Sequence, residues 1–189
     1  MFAVFEQYLQ SKAFFTPAEI EQIQAVSVVR ALRKRQYLLQ AGDVWQANAF
    51  VVSGCLRTYS VDAKGLEHII GFAVENWWAS DQESLLSGQP SRYNIEATED
   101  STVIVLKNDD FERLRREVPA FDQVVKALVL RSFMASQSRV HSAISYSAEE
   151  KYREFLQKYP GLAQRIPQHM VASYLGLTAE TLSRIRRQA

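Results

Sequence analysis

Residues 168–187 constrain this chain more than any other stretch, because their order fits the buried-position code of a helix-turn-helix. Gly176 stands where the chain would leave a first helix, a place that favours the left-handed backbone glycine adopts cheaply. Thr178 is a good N-cap for a second helix. Ala172 is small enough to let two helices cross closely. Val171, Leu175, Leu177, Leu182 and Ile185 fall on the inward faces at i, i+3 or i, i+4 spacing. A short glycine-bearing turn between two short amphipathic helices is the sequence form of the motif that lays its second helix in the DNA major groove.

The outward face of that second helix carries chemistry. Glu180, Ser183, Arg184 and Arg187 fall on one stripe, opposite Leu182 and Ile185. Arginine grips guanine O6 and N7 with two hydrogen bonds, glutamate accepts from cytosine N4, and serine donates or accepts. Arg186 and Arg187, further along, suit phosphates. The plain alternative is that Glu180 and Arg184 form an ordinary i, i+4 ion pair on a solvated helix. The complete frame around them favours a nucleic-acid face.

The 189-residue chain has a net charge of only +1, which hides an asymmetry. From Lys151 onward, Lys151, Arg153, Lys158, Arg165, Arg184, Arg186 and Arg187 face only Glu154 and Glu180, so the preceding part is acidic. A basic end on an acidic body is the footprint of a phosphate-binding module attached to one with other work. No apolar run approaches the ~20 residues of a membrane span. The opening residues, Met1 to Glu6, lack a basic region and cleavage pattern, so a cytoplasmic protein with no membrane partner is expected. Cys55 is the only cysteine, which excludes an intrachain disulfide and a four-thiolate metal or iron–sulfur site. It is expected as a small buried filler in a strand.

Read from the front, the spacing of Phe5, Leu9 and Phe14 predicts a helix from Phe2 to Ala13. Thr16-Pro17-Ala18-Glu19 is a capping box with proline at the first helical position, opening a helix to about Ala25. The hydrophobic period then changes to 2. Short strands are expected over 26–32, 37–40, 49–52, 56–61, 68–74, 93–97 and 102–107. Ala41-Gly42-Asp43, Ser53-Gly54 and Asp62-Ala63-Lys64-Gly65 supply the turns. Such a series implies an antiparallel barrel or jelly roll. Helical period returns over 109–116 and then from Pro119 to about Ser145, one long helix apolar on more than one face. Such a helix has two neighbours, here its own barrel and a second subunit. Ser147-Ala148-Glu149-Glu150 is another capping box, opening a helix through Tyr159 that Pro160-Gly161 ends. The fold class is therefore α+β: an N-terminal antiparallel β-barrel with flanking helices, residues 1–118; a long dimerisation helix, 119–146; and a helix-turn-helix domain, 147–189.

This order resembles the Crp/Fnr family of bacterial transcription regulators over nearly the whole chain. Gln40-Ala41-Gly42-Asp43 and Val51-Val52-Ser53-Gly54-Cys55-Leu56-Arg57 are similar to the strand-turn signatures of that family's cyclic-nucleotide-binding barrel. The most specific match is Leu177-Thr178-Ala179-Glu180-Thr181-Leu182-Ser183-Arg184. The resemblance implies that Glu180, Ser183 and Arg184 read bases, the serine being similar to the oxygen-responsive branch, and that Thr178 and Thr181 touch phosphates. It also implies a homodimer on double-stranded DNA, with RNA polymerase as a further candidate partner.

Two positions depart from the family's cyclic-AMP pattern. There a Gly-Glu pair holds the ribose and an Arg-Ser pair about ten residues later holds the cyclic phosphate. Here Ser80-Asp81 stands for the first and Ser91-Arg92 reverses the second. Adjacent strand residues point to opposite faces, so an inward Ser91 turns Arg92 out. The effector-pocket candidates are Ser80, Asp81, Ser91, Arg92, Trp77 and Trp78, with buried filling as the competing role for the two tryptophans. Cyclic AMP is expected not to bind, no cofactor is expected, and the effector is unnamed.

Rival classes are weaker. A haem sensor needs His68, His141 or His169 as an axial ligand, and lone histidines are more often surface or packing residues. A cupin-type barrel enzyme needs clustered His and Glu ligands, yet only His68, beside Glu67 and Glu75, lies in the strand region. No catalytic residue and no metal ligand is therefore assigned. A barrel acting on a partner protein without DNA leaves the C-terminal frame unexplained.

Overall fold

Thr16 fixes the first well-defined helix start. Its hydroxyl accepts from the Glu19 amide at 3.3 Å, and the Glu19 carboxylate accepts from the Thr16 amide at 2.8 Å. In this computed structural model, which describes residues 1–188, that capping box opens α2 (Pro17–Ala25), after α1 (Phe2–Gln10). α1 is shorter than its spacing predicts. The helix stops at Gln10, so Phe14 is 85% exposed and Phe15 is buried in its place. A helical period of apolar residues cannot hold a side chain inward once the backbone has left the helix.

The chain divides into two units, Met1–Ser60 with Gly71–Val129, and Val61–Ile70 with the residues from Leu130 onward. The strands, which lie in the first unit except for the tip of the β4–β5 hairpin, are β1 (Val28–Leu32), β2 (Tyr37–Leu39), β3 (Ala47–Ser53), β4 (Leu56–Val61), β5 (Glu67–Ala73) and β6 (Trp78–Ala79). The short α3 (Gln82–Ser87) follows, then β7 (Asn94–Ala97) and β8 (Ser101–Lys107). They form two four-stranded sheets, in the orders β1-β8-β3-β6 and β2-β7-β4-β5. Pairing is antiparallel, with Phe50 opposite Ile104 and Leu56 opposite Ala97.

Period-2 alternation sorts the core. Ala49 and Val51 of β3 join Leu39, Trp45, Leu56, Ile95 and Val103 between the sheets. Phe50, between them in sequence, instead packs with Phe5, Ile23, Phe111 and Phe121, from α1, α2, α4 (Asn108–Glu117) and α5 (Pro119–Ser145). Gly54 has φ +92°, and a Cβ there would fall 2.2 Å from the Ser101 hydroxyl, so only glycine fits this turn. Cys55 is fully buried, but it occupies the turn between β3 and β4 rather than a strand. Sequence period gave no sign of β6, which has two residues, or of α3.

In the second unit, Asp62 shapes the β4–β5 hairpin tip by accepting from the Lys64 and Leu66 amides at 2.8 and 3.0 Å. The unit continues through the later part of α5, then α6 (Ala148–Lys158), α7 (Leu162–Arg165), α8 (Gln168–Leu175) and α9 (Ala179–Gln188). Ser147 and Glu150 make a second reciprocal capping box at α6. Tyr152, Phe155, Leu162, Ile166, Val171, Ala172, Leu182 and Ile185 are buried. The hairpin tip is bonded to α8 within this unit. The Ser173 hydroxyl accepts from the Ile69 amide at 3.0 Å and donates to the Glu67 carbonyl at 2.9 Å. Arg139 donates to the Ile69 carbonyl at 3.1 Å. Among the described residues, no helix is long and apolar enough to cross a membrane.

Candidate nucleic-acid interface and effector site

α8 ends because Gly176 takes a left-handed φ of 67°, while the Leu177 amide reaches back to the Ala172 carbonyl at 2.9 Å. That closure satisfies a carbonyl at the helix end and reverses the chain within two residues. The Thr178 hydroxyl then accepts from the Thr181 amide at 3.2 Å and starts α9. Leu182 and Ile185 are 1% and 3% exposed, and α9 packs on α6 and α8.

The opposite side of α9 is bare. Glu180, Ser183, Arg184, Arg186 and Arg187 are exposed. Glu180, Ser183, Arg184 and Arg187 line one shallow depression with Ala179. The structure thus brings the three predicted base readers onto one face, with Thr178 and Thr181 at the start of the same helix. The Glu180 carboxyl is held below the usual carboxylate range, first by its own backbone amide and then by the Thr178 hydroxyl. At neutral pH it is ionised and only accepts hydrogen bonds, which suits a base-edge amino group.

Behind this face, Tyr174 is clamped by two cations. The Arg139 guanidinium lies 4.2 Å over its ring, and Lys158 reaches its hydroxyl at 3.3 Å. Burial pushes the Tyr174 phenol up, but Lys158 and Arg139 together bring it below its ordinary value. None of Arg139, Lys158 or Ser173 stood out in the sequence, because each lies in a different segment and only the fold joins them.

In the barrel unit the effector candidates separate. Ser91 and Asp81 are each 5% exposed, and the Ser91 hydroxyl donates to the Asp81 carboxylate at 2.5 Å. The other Asp81 oxygen caps α3, accepting from the Glu83 and Ser84 amides at 3.1 and 3.3 Å. Ser80 accepts from the Trp45 indole at 3.1 Å. These residues come together. Arg92 does not join them: it points outward, is ion-paired with Glu83 and stands beside the Tyr93 ring. Trp78 packs edge-on against Phe5, Phe50 and Phe111 in the cluster outside the sheets, and Trp77 is half-exposed.

The tryptophan between the sheets is Trp45, which the sequence reading did not single out. It lies in the β2–β3 connection, outside any periodic segment, and the Trp45 amide donates to the Ser84 hydroxyl at 2.9 Å. The buried Arg57 is committed elsewhere, pairing with Glu96 at 2.8 Å beneath the Tyr59 hydroxyl.

The chain thus carries a double-sheet barrel and a helix-turn-helix. Residues 29–117 match the cyclic nucleotide-binding domain family. The regulatory protein HlyX of Actinobacillus pleuropneumoniae is 25% identical over 185 residues, covering 90% of this chain and 76% of that protein. The transcriptional activator protein Anr of Pseudomonas aeruginosa is 25% identical over 169 residues, covering 82% of this chain and 68% of that protein. The solved structure of FixK2 from Bradyrhizobium japonicum has the same fold, with a TM-score of 0.74 at 22% identity, over 86% of this chain and 84% of that one. The chain is similar over most of its length to proteins named as regulators, and its residues 29–117 match a cyclic nucleotide-binding domain. Its named relatives are regulatory proteins, and the cupin-type enzyme alternative is not favoured.

Proposed function

We propose that this chain is a cytoplasmic, homodimeric regulator that reads DNA with α9. Glu180, Ser183 and Arg184 contact base edges, while Thr178, Thr181, Arg186 and Arg187 hold the phosphates on either side. The observation that carries this reading is the exposed stripe of α9, opposite the buried Leu182 and Ile185. Crp/Fnr regulators, which the chain resembles, bind DNA and act as dimers. A homodimer built on α5 presents two recognition helices to half-sites whose centres lie about 34 Å apart, one helical turn. Regulation is then a population shift, in which a signal favours the dimer arrangement whose two helices match successive major grooves.

The barrel in this reading is a degenerate nucleotide pocket. A buried cyclic phosphate needs a guanidinium or several aligned N–H donors, because an unpaired buried charge costs several kcal/mol. Arg92 is turned away and Asp81 supplies a carboxylate instead.

Binding-site selection tests the reading of DNA. Arg184→Ala and Glu180→Ala should each lose discrimination at one base pair per half-site, about 1–3 kcal/mol for each lost bidentate contact. An unchanged consensus from Arg184→Ala refutes the assignment.

A further inference from the structure

Along α5, Leu130, Phe133, Gln137, Val140 and Ile144 repeat at spacings of three and four, the a and d positions of a heptad seam. Leu130, Phe133, Val140 and Ile144 are 60%, 59%, 59% and 80% exposed, and Gln137 is exposed between them. Phe133, Ser136, Gln137, Val140 and His141 line one shallow depression along the helix. The other side of the same stretch is already used within its own unit: Ser142 is buried, and Arg139 bonds Ile69 and Tyr174. An exposed apolar stripe at heptad spacing is complementary to itself about a twofold axis, so a second copy of this chain is its natural cover.

Heptad seams choose their register in two ways: by cross-helix ion pairs at the flanking positions, or by a polar residue inside the seam. The flanking positions here are Val129, Ser136 and Ala143 on one side and Met134 and His141 on the other. None is a lysine, arginine or carboxylate, so ion pairs of that kind have no residues to form them. Gln137 remains, at the centre of the stripe.

In a parallel, in-register pair each a residue faces its own mate, and the two Gln137 amides meet donor to acceptor. A slip of one heptad, or an antiparallel arrangement, sets the amide against Leu, Ile or Val and leaves it buried without a partner. We infer that Gln137 fixes the parallel register of the α5 pair, and so the spacing of the two reading heads, by bonding to Gln137 of a second copy. This rests on the homodimer proposed above.

Sedimentation equilibrium on the full chain tests it with Gln137→Leu and Gln137→Asn, both at an exposed position of the protomer. Gln137→Leu should lower the dimer dissociation constant about tenfold or more, because an apolar layer replaces a polar one, and Gln137→Asn should stay near the parent. Register is read separately by Ile144→Cys, at the next a position. Oxidative cross-linking to its mate should be efficient in the Gln137 background and should fall when Gln137→Leu is added. A Gln137→Leu dimer that is no tighter overturns the seam position. An unchanged cross-linking yield overturns the register role. A parent chain monomeric at tens of micromolar overturns the homodimer itself, and with it this inference.

Discussion

The Ser91 hydroxyl donates to the Asp81 carboxylate at 2.5 Å, tying together the two segments where the resemblance puts a ribose and a phosphate site. Both side chains are buried, and Asp81 is at the same time the N-cap of α3. A carboxylate already shared among a hydroxyl and two amides has little left for a ribose. A serine offers one donor where a cyclic phosphate monoanion, once buried, needs a positive charge.

Titration calorimetry should therefore detect no binding of cyclic AMP or cyclic GMP at micromolar nucleotide. Asp81→Ala should cost about 1–3 kcal/mol in urea unfolding, through the lost cap and the stranded Ser91 hydroxyl. A micromolar dissociation constant for either nucleotide would show that the barrel rearranges to meet the phosphate.

Trp45 fills space between the sheets beside Ala49, Ala79 and Ala97, residues too small to close that space themselves. Trp45→Ala should cost about 3–5 kcal/mol. If the vacated volume stays open and apolar, benzene or indole should raise the variant's melting temperature and leave the parent's unchanged. A variant that ligand does not stabilise means that the sheets collapse into the gap.

The capping boxes give a pH dependence with a definite sign. The Glu150 carboxyl is held below the usual range, first by the Ser147 amide, then by the Ser147 hydroxyl, with Arg153 adding to them. A depressed folded-state value means stabilisation that is full above the ordinary carboxylate value of 4.5 and is lost as pH falls through the lower folded value. Glu150→Gln should therefore be less stable than the parent at neutral pH, and the two urea midpoints should converge under acid. A gap that stays constant down to the acid limb would assign the Glu150 contribution to shape rather than charge.

How much of this was legible before folding depended on whether the signal was local. The capping boxes at Thr16 and Ser147, the glycine at 176 and the inward Leu182 and Ile185 are set by residues within a few positions of one another, and α5 runs over Pro119–Ser145 as its composition predicts. Phe14 was misread because a period of apolar residues outlasts the helix that gives it meaning. Trp45 was missed because its burial is decided by strands that arrive from 79, 95 and 103, and no spacing within its own segment records them. Ser173 was hidden in the same way: its partners Glu67 and Ile69 lie more than a hundred residues earlier in the chain.

Arg184 and Arg186 lie two residues apart on α9 and both are exposed, yet the helix turns them to different sides. Arg184 shares its face with Glu180 and Ser183, while Arg186 lies about 200° away from it around the axis, toward the rim. A phosphate contact releases condensed counterions whatever the sequence, so Arg186→Ala should weaken binding to every duplex alike. It should also flatten the slope of log affinity against log salt by about 0.9 for each contact removed. Arg184→Ala should lower affinity for the selected site far more than for random duplex. Fluorescence anisotropy with both duplexes across a salt series separates the two. If Arg186→Ala changes the site-to-random ratio and leaves the slope intact, Arg186 reads bases, and the phosphate assignment moves to Arg187 and the threonines.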